Sequence, residues 1–154
     1  MGRAIYVSSV NGDDANSGYA PEKAFRSLRK VNQMEIQPGD QILLERGSVF
    51  VGEYLHLYRG GTKEAPVVVD AYGEGALPRI ETDGNGIWYQ NYGGHLDNVV
   101  HTWKGYLSSA VLLYDAEYIS IRNLEITNNP CVKNERLNQA DRMNLSLIHI
   151  SEPT

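Results

Sequence analysis

Apolar positions along this chain mostly occur in short β-branched runs, and in one segment they recur every three residues. Residues 4–10 read as a strand. Asn11-Gly12-Asp13-Asp14-Ala15-Asn16-Ser17-Gly18 stops it with residues that tolerate turns and left-handed backbone. Phe25, Leu28, Val31 and Met34 are each three apart, behind Pro21 and Glu22 and interleaved with Lys23, Arg26, Arg29 and Lys30. That spacing predicts one amphipathic helix over 21–34. After Pro38-Gly39-Asp40 the pattern turns to short strand-like runs at 41–45, 53–58, 66–72, 78–82, 87–89, 111–114 and 119–127, divided by Gly, Asn and Asp. No second helix is predicted before residue 128, so the fold class is mainly β.

The run over 119–127 carries more information than its neighbours. Ile119 and Ile121 alternate, then Leu124 and Ile126 alternate, and the phase slips by one residue at Arg122-Asn123. One continuous strand cannot keep all four side chains on one face, whereas two short strands bent at Asn123 can. Arg122-Asn123 is also no hairpin turn of the Asn-Gly type. Similar strand-and-bend units occur at 41–45 and 66–70. A chain that bends repeatedly in one sense winds into a coil of the parallel β-helix kind, whose units bury their apolar faces only by stacking.

Several motifs carry a family resemblance. Ile5-Tyr6-Val7-Ser8, Asn11-Gly12-Asp13-Asp14 to Ser17-Gly18, Ala24-Phe25-Arg26-Ser27-Leu28, Pro38-Gly39-Asp40, Glu45-Arg46-Gly47 and Ala71-Tyr72-Gly73-Glu74-Gly75 to Pro78 follow one another in order over most of residues 4–128. Together they resemble the N-terminal part of right-handed parallel β-helix proteins of the pectate-lyase-like superfamily. The resemblance implies an N-terminal cap, in which the one helix covers the end of the first rungs, protecting an open sheet edge. It also implies bacterial glycan-degrading enzymes, either polysaccharide lyases or glycoside hydrolases, with a non-catalytic carbohydrate-binding or adhesion module as the alternative. Lyases of this kind use Ca²⁺ with a Lys or Arg base, and the hydrolases use paired carboxylates. Those residues lie in later rungs, and no position here matches them, so the catalytic residues stay unassigned.

Composition narrows the remaining classes. The chain has 154 residues, a formal net charge of −5 and no basic stripe, which argues against phosphate-neutralising nucleic-acid binding. No apolar stretch is long enough to span a membrane. The N-terminus shows no secretory h-region, while the resemblance implies an extracellular setting, so localisation is left open. The single Cys131 cannot form an internal disulfide or a cysteine-based zinc site. No phosphate loop, nucleophile elbow or His-Glu-x-x-His motif occurs, and no cofactor is evident; Ca²⁺ enters only if the parent is a lyase.

The candidate binding residues are aromatic. Trp88, Tyr89, Tyr92 and Trp103, with Tyr106, His95 and His101 nearby, concentrate in a Gly-rich stretch from Gly84 to Gly105. Flat aromatic faces stack on sugar rings, so this stretch reads either as a glycan-facing loop or as an excursion packed back onto the coil. The expected partner is a polysaccharide or oligosaccharide. Glu81 and Asp83 share a strand face but sit closer than a glycosidase pair flanking a bond requires. Asp70 ends a strand and fits a turn-stabilising role. Asp13 and Asp14 beside Asn11 and Asn16 suit either an oxygen-ligand site or an Asx-rich turn. His56, His95 and His101 show no metal spacing, and Arg46, Arg59 and Lys63 read as surface cations that can meet an acidic sugar.

The chain ends on Leu145-Ser146-Leu147-Ile148-His149-Ile150-Ser151-Glu152-Pro153-Thr154, whose alternation alone predicts a strand. The same ten residues resemble an in-frame translation of a transposase-end sequencing adapter. On that reading residues 1–128 form the cap and first rungs, 129–144 form a polar loop leading to further rungs, and 145–154 are adapter-derived. The expected function of the fragment alone is then none.

Overall fold

A computed structural model describes the backbone of residues 2–93, 103–128 and 142–150, and the side chains of 2–87 and 108–128. Eleven strands are described: β1 (Ala4–Val7), β2 (Gln41–Glu45), β3 (Val49–Val51), β4 (Leu55–Leu57), β5 (Val67–Tyr72), β6 (Arg79–Glu81), β7 (Ile87–Gly93), β8 (Trp103–Tyr114), β9 (Ile119–Ile121), β10 (Glu125–Thr127) and β11 (Arg142–Ile150). They form three sheets. Sheet A has the order β1-β2-β5-β9, sheet B β10-β6-β3, and sheet C β11-β8-β4, with β7 pairing β8. Every pairing between these strands is parallel except β7 with β8. From β2 onward the chain visits A, B and C in that order, and it does so three times. The fold is mainly β, as the pattern predicts.

The register explains the short apolar runs. In sheet A, Ile5, Ile42, Val69 and Ile121 stand in one ladder. In sheet B, Phe50, Ile80 and Ile126 do the same. Ile5, Ile42, Val69, Phe50 and Ile80 are fully buried, whereas Ile121 and Ile126 in the third circuit are only partly buried. The fully buried positions lie in the inner circuits and the partly buried ones in the third, the order expected where repeats cover one another by stacking. Burying a side chain of this size contributes about 1.5–3 kcal/mol.

The bend at Asn123 is present. β9 and β10 flank it, and Asn123 takes φ 57°, a left-handed conformation that Asn tolerates better than most residues. Asp70 supports it from the preceding circuit. Its Oδ1 accepts from Asn123 Nδ2 at 2.8 Å and from the Ala71 N–H, and its Oδ2 accepts from Arg122 Nε at 2.8 Å.

The helix predicted over 21–34 is corrected by the structure. Pro21–Lys23 is a single 3₁₀ turn, and the α-helix, α1, covers only Leu28–Asn32. Between them the backbone is extended because β1 and the polar loop claim its hydrogen bonds. Phe25 N–H donates to the Tyr6 carbonyl, and Ser8 N–H donates to that of Phe25. Asp14 Oδ1 accepts from the N–H groups of Arg26 and Ser27, and its Oδ2 accepts from Ser27 Oγ. Ser27 therefore cannot cap α1; Glu53 Oε1 accepts the Leu28 N–H instead, at 2.8 Å. The three-residue stripe is still apolar packing, since Phe25, Leu28 and Val31 are buried and Met34 is partly buried.

Other differences concern extent. Strand β3 was not among the predicted runs, the predicted run 53–58 shrinks to β4, and the runs 87–89 and 111–114 grow into β7 and β8. β11 spans the end of the expected polar loop and the start of the adapter-like residues, paired with β8 from Arg142↔Tyr106 to Ile150↔Tyr114. Alternation suffices for such pairing whatever the origin of the residues.

Candidate functional site

The aromatic stretch forms a hairpin on sheet C. β7 pairs antiparallel with the first half of β8, from Ile87↔Ser108 through Trp88↔Leu107 and Tyr89↔Tyr106 to Gly93↔Trp103. The second half of β8 pairs parallel with β4, Leu55↔Val111 to Leu57↔Leu113. One strand thus passes from the hairpin into the stacked sheet. The register shifts between Asn91 and Gly93, which leaves Tyr92 as an extra residue in β7. Such bulges bend the strand and re-aim a side chain. Trp88, Tyr89, Tyr92 and Trp103 therefore all fall on one supersecondary unit; their side chains lie outside the described residues, as do His95, His101 and Cys131.

The foot of this hairpin is a closely bonded polar cluster that sequence reasoning missed. Ser108 and Ser109 are fully buried where β8 changes partner. Ser109 N–H donates to the Gly86 carbonyl at 3.1 Å, and Ser109 Oγ donates to the Val111 carbonyl at 2.8 Å. Ser108 Oγ donates to the Asn85 carbonyl. From the preceding circuit, His56 Nε2 lies 2.9 Å from the Ser109 carbonyl oxygen and is the donor to it. From the following circuit, Asn128 Nδ2 reaches the Ser108 carbonyl at 3.2 Å and its Oγ at 3.1 Å, while Asn128 Oδ1 accepts the Gly84 N–H at 2.9 Å.

His56 is itself tightly held. Its backbone N–H donates to Asn32 Oδ1 at 2.8 Å, and Asn32 Nδ2 donates to the Tyr54 carbonyl, tying α1 to β4. The Tyr54 ring lies 4.4 Å from the imidazole. Burial pushes the His56 pKa down, partly offset by the Ser109 carbonyl, so the ring is neutral at physiological pH with its proton on Nε2. Gly86, at φ 65°, is required here: a Cβ would lie 2.5 Å from the Ser109 oxygen and 3.1 Å from His56 Nε2. The legible signals were Gly84-Asn85-Gly86 and the Ser108-Ser109 pair, small polar residues inside an apolar run.

The remaining candidates are engaged elsewhere. Glu81 Oε1 lies 3.0 Å from Arg79 Nε on the same strand. Asp13 Oδ1 accepts the Ala15 N–H, and both Asp14 oxygens are taken by Arg26 and Ser27, which is the Asx-turn arrangement. Arg59 pairs with Glu35 at 2.7 Å, Arg46 reaches the Gly75 carbonyl, and Lys63 is exposed. Among the described residues no group of three His, Cys, Asp or Glu is placed to hold a metal ion, and no helix is long and apolar enough to cross a membrane.

Among the proteins this chain is similar to are carbohydrate-active enzymes of the glycoside hydrolase class. They include lacto-N-biosidases. The chain is 41 % identical over 135 residues to a lacto-N-biosidase of Bifidobacterium longum subsp. longum, a match covering 83 % of this chain and 8 % of that enzyme. Crystal structures of GH136 lacto-N-biosidase from Eubacterium ramulus match with a TM-score of 0.80, covering 96 % of this chain. Identity is 48 % to the selenomethionine derivative and 46 % to the native protein, and the match covers 24 % and 27 % of those chains. The chain thus spans about a quarter of the solved enzyme and less than a tenth of the Bifidobacterium one. No family model matches it.

Proposed function

We propose that this chain is the capped N-terminal part of a right-handed parallel β-helix belonging to a bacterial glycoside hydrolase that acts on lacto-N-biosides. The observation that carries this is the match to the E. ramulus enzyme over 96 % of the chain at 48 % identity. Three passes through sheets A, B and C, each covering the last, support the helical winding. Of the two enzyme classes the sequence left open, the relatives favour the hydrolase.

Within that enzyme the chain's role is to bind substrate. Trp88, Tyr89, Tyr92 and Trp103 share one hairpin, and aromatic faces on a rigid strand pair suit stacking against sugar rings. Asp14, Asp40 and Asp70 have their oxygens committed to hydrogen bonds and ion pairs, and Glu81 pairs with Arg79. The general acid and its partner carboxylate are supplied by other rungs. Titrating the 154-residue chain with p-nitrophenyl lacto-N-bioside tests this. Tryptophan fluorescence should change with saturation at about 1 mM or below, a weak carbohydrate affinity of roughly −4 kcal/mol, with no release of nitrophenol. An unchanged emission across that range removes the binding role, and nitrophenol release places catalysis inside the chain.

A further inference from the structure

We infer that His56 and Asn128 are positioning residues that fix the direction in which the β7–β8 hairpin leaves the stacked sheets. The inference rests on the hairpin being the sugar-facing element, and it says what aims that element. Among the described residues β11 supports β8 only from Tyr106 onward, so the hairpin pairs from Gln90↔Gly105 to Gly93↔Trp103 form a two-stranded ribbon, which is marginal in water and needs more than its own ladder to hold its angle. Here the two feet of the hairpin, 84–86 and 108–109, are gripped from opposite sides. His56, one circuit earlier, donates to the Ser109 carbonyl at 2.9 Å. Asn128, one circuit later, donates to the Ser108 carbonyl and accepts from the Gly84 N–H. The Ser109 N–H closes the loop on Gly86.

Three further observations make this a clamp on the hairpin. His56 bonds the Ser109 carbonyl, and Asn128 bonds the Ser108 carbonyl and hydroxyl and the Gly84 N–H, beside the point where β8 exchanges its antiparallel partner for its parallel one. Gly86 has no Cβ where a Cβ would press on both His56 Nε2 and the Ser109 oxygen, so the backbone is shaped around the contact. His56 is also immobilised by Asn32 through its own N–H and by the Tyr54 ring, so the cap helix α1, strand β4 and the hairpin foot form one bonded series. Orientation set this way is worth affinity, since a hairpin free to swing has to be ordered each time a sugar binds.

The chain contains two tryptophans, Trp88 and Trp103, both on the hairpin, so intrinsic fluorescence reports this element selectively. Without sugar, His56→Phe and Asn128→Ala should each raise acrylamide quenching of that emission, while far-UV circular dichroism retains a cooperative melt. His56→Gln, which keeps a donor near the Nε2 position, should restore quenching to the native level. With p-nitrophenyl lacto-N-bioside, His56→Phe and Asn128→Ala should bind about fivefold to tenfold more weakly, the cost of ordering a loosened hairpin on each binding event. A folded His56→Phe chain with native quenching overturns the inference, and so does a Gln variant that behaves like Phe. If the Phe variant does not fold, Asn128→Ala decides, and native quenching in it overturns the clamp. Native protein that ignores the sugar while the quenching results hold refutes the binding role and leaves the clamp standing.

Discussion

Asp70 and Asn123 are joined across adjacent circuits by a 2.8 Å hydrogen bond that holds the left-handed residue at the corner between β9 and β10. The same carboxylate accepts from Arg122, and these bonds hold its pKa below the usual value even though burial alone would raise it. The corner is thus fixed by backbone conformation and by a side-chain tie to the strand beneath it.

Asn123→Gly should cost about 1 kcal/mol, the worth of the lost tie, because glycine accepts φ 57° without strain. Asn123→Val should cost about 2–3 kcal/mol, adding the left-handed penalty of a β-branched residue. Denaturant midpoints of the two variants distinguish conformation from bonding.

Stability should fall with acidity in two stages. His56 is lowered from 6.5 mainly by burial, so the unfolded chain takes up its proton first, and stability declines as pH drops below about 6.5 toward the folded value. Asp14, Asp40 and Asp70 are each pushed up by burial, but their hydrogen bonds outweigh this and leave them below 3.8. Their contribution is present above that value and is lost as pH falls through the folded ones. Glu53 runs the other way: burial raises it above 4.5, so its contribution is present in acid and fades as pH rises through the folded value. Thermal melts from pH 8 to 3 check the order, and His56→Gln should flatten the upper stage alone.

Ile80 and Ile126 occupy the same ladder in successive circuits, yet Ile80 is fully buried and Ile126 only partly. Ile80→Ala should cost about 2–5 kcal/mol and Ile126→Ala roughly half of that. Equal costs, measured by urea denaturation, would contradict stacking as the source of burial.

Trp88→Ala and Trp103→Ala should each weaken binding of p-nitrophenyl lacto-N-bioside by about tenfold, the scale of one aromatic stacking contact. Neither should move the melting temperature beyond a degree or so, because neither residue stands in a ladder of sheet A or B. Calorimetric titration beside a melting curve separates the two effects.

Much of the coil was legible because a strand's apolar period is local. The phase slip at Arg122-Asn123 locates a corner, and the position of Asp70 at the end of a strand marks it for a turn-stabilising role. The helix failed because its extended middle is imposed by distant bonds, Tyr6 and Ser8 to Phe25 and Asp14 to Ser27, which outweigh a three-residue spacing. The aromatic cluster was legible as composition. Its hairpin pairing was not, since Gly-rich spacing fits loop and strand alike. His56 and Asn128 stayed hidden because they meet the hairpin foot from positions far apart in sequence.

The exchange of partners along β8 has a consequence for how this part of the molecule can change. Whatever joins β7 to β8 departs and returns between Gly86 and Ser109, within reach of the same two side chains. Residues added or removed beyond that point leave the ladders of sheets A and B in step. The hairpin is therefore a replaceable attachment: a different length or a different set of aromatic residues can be tried there while the stack below keeps its register.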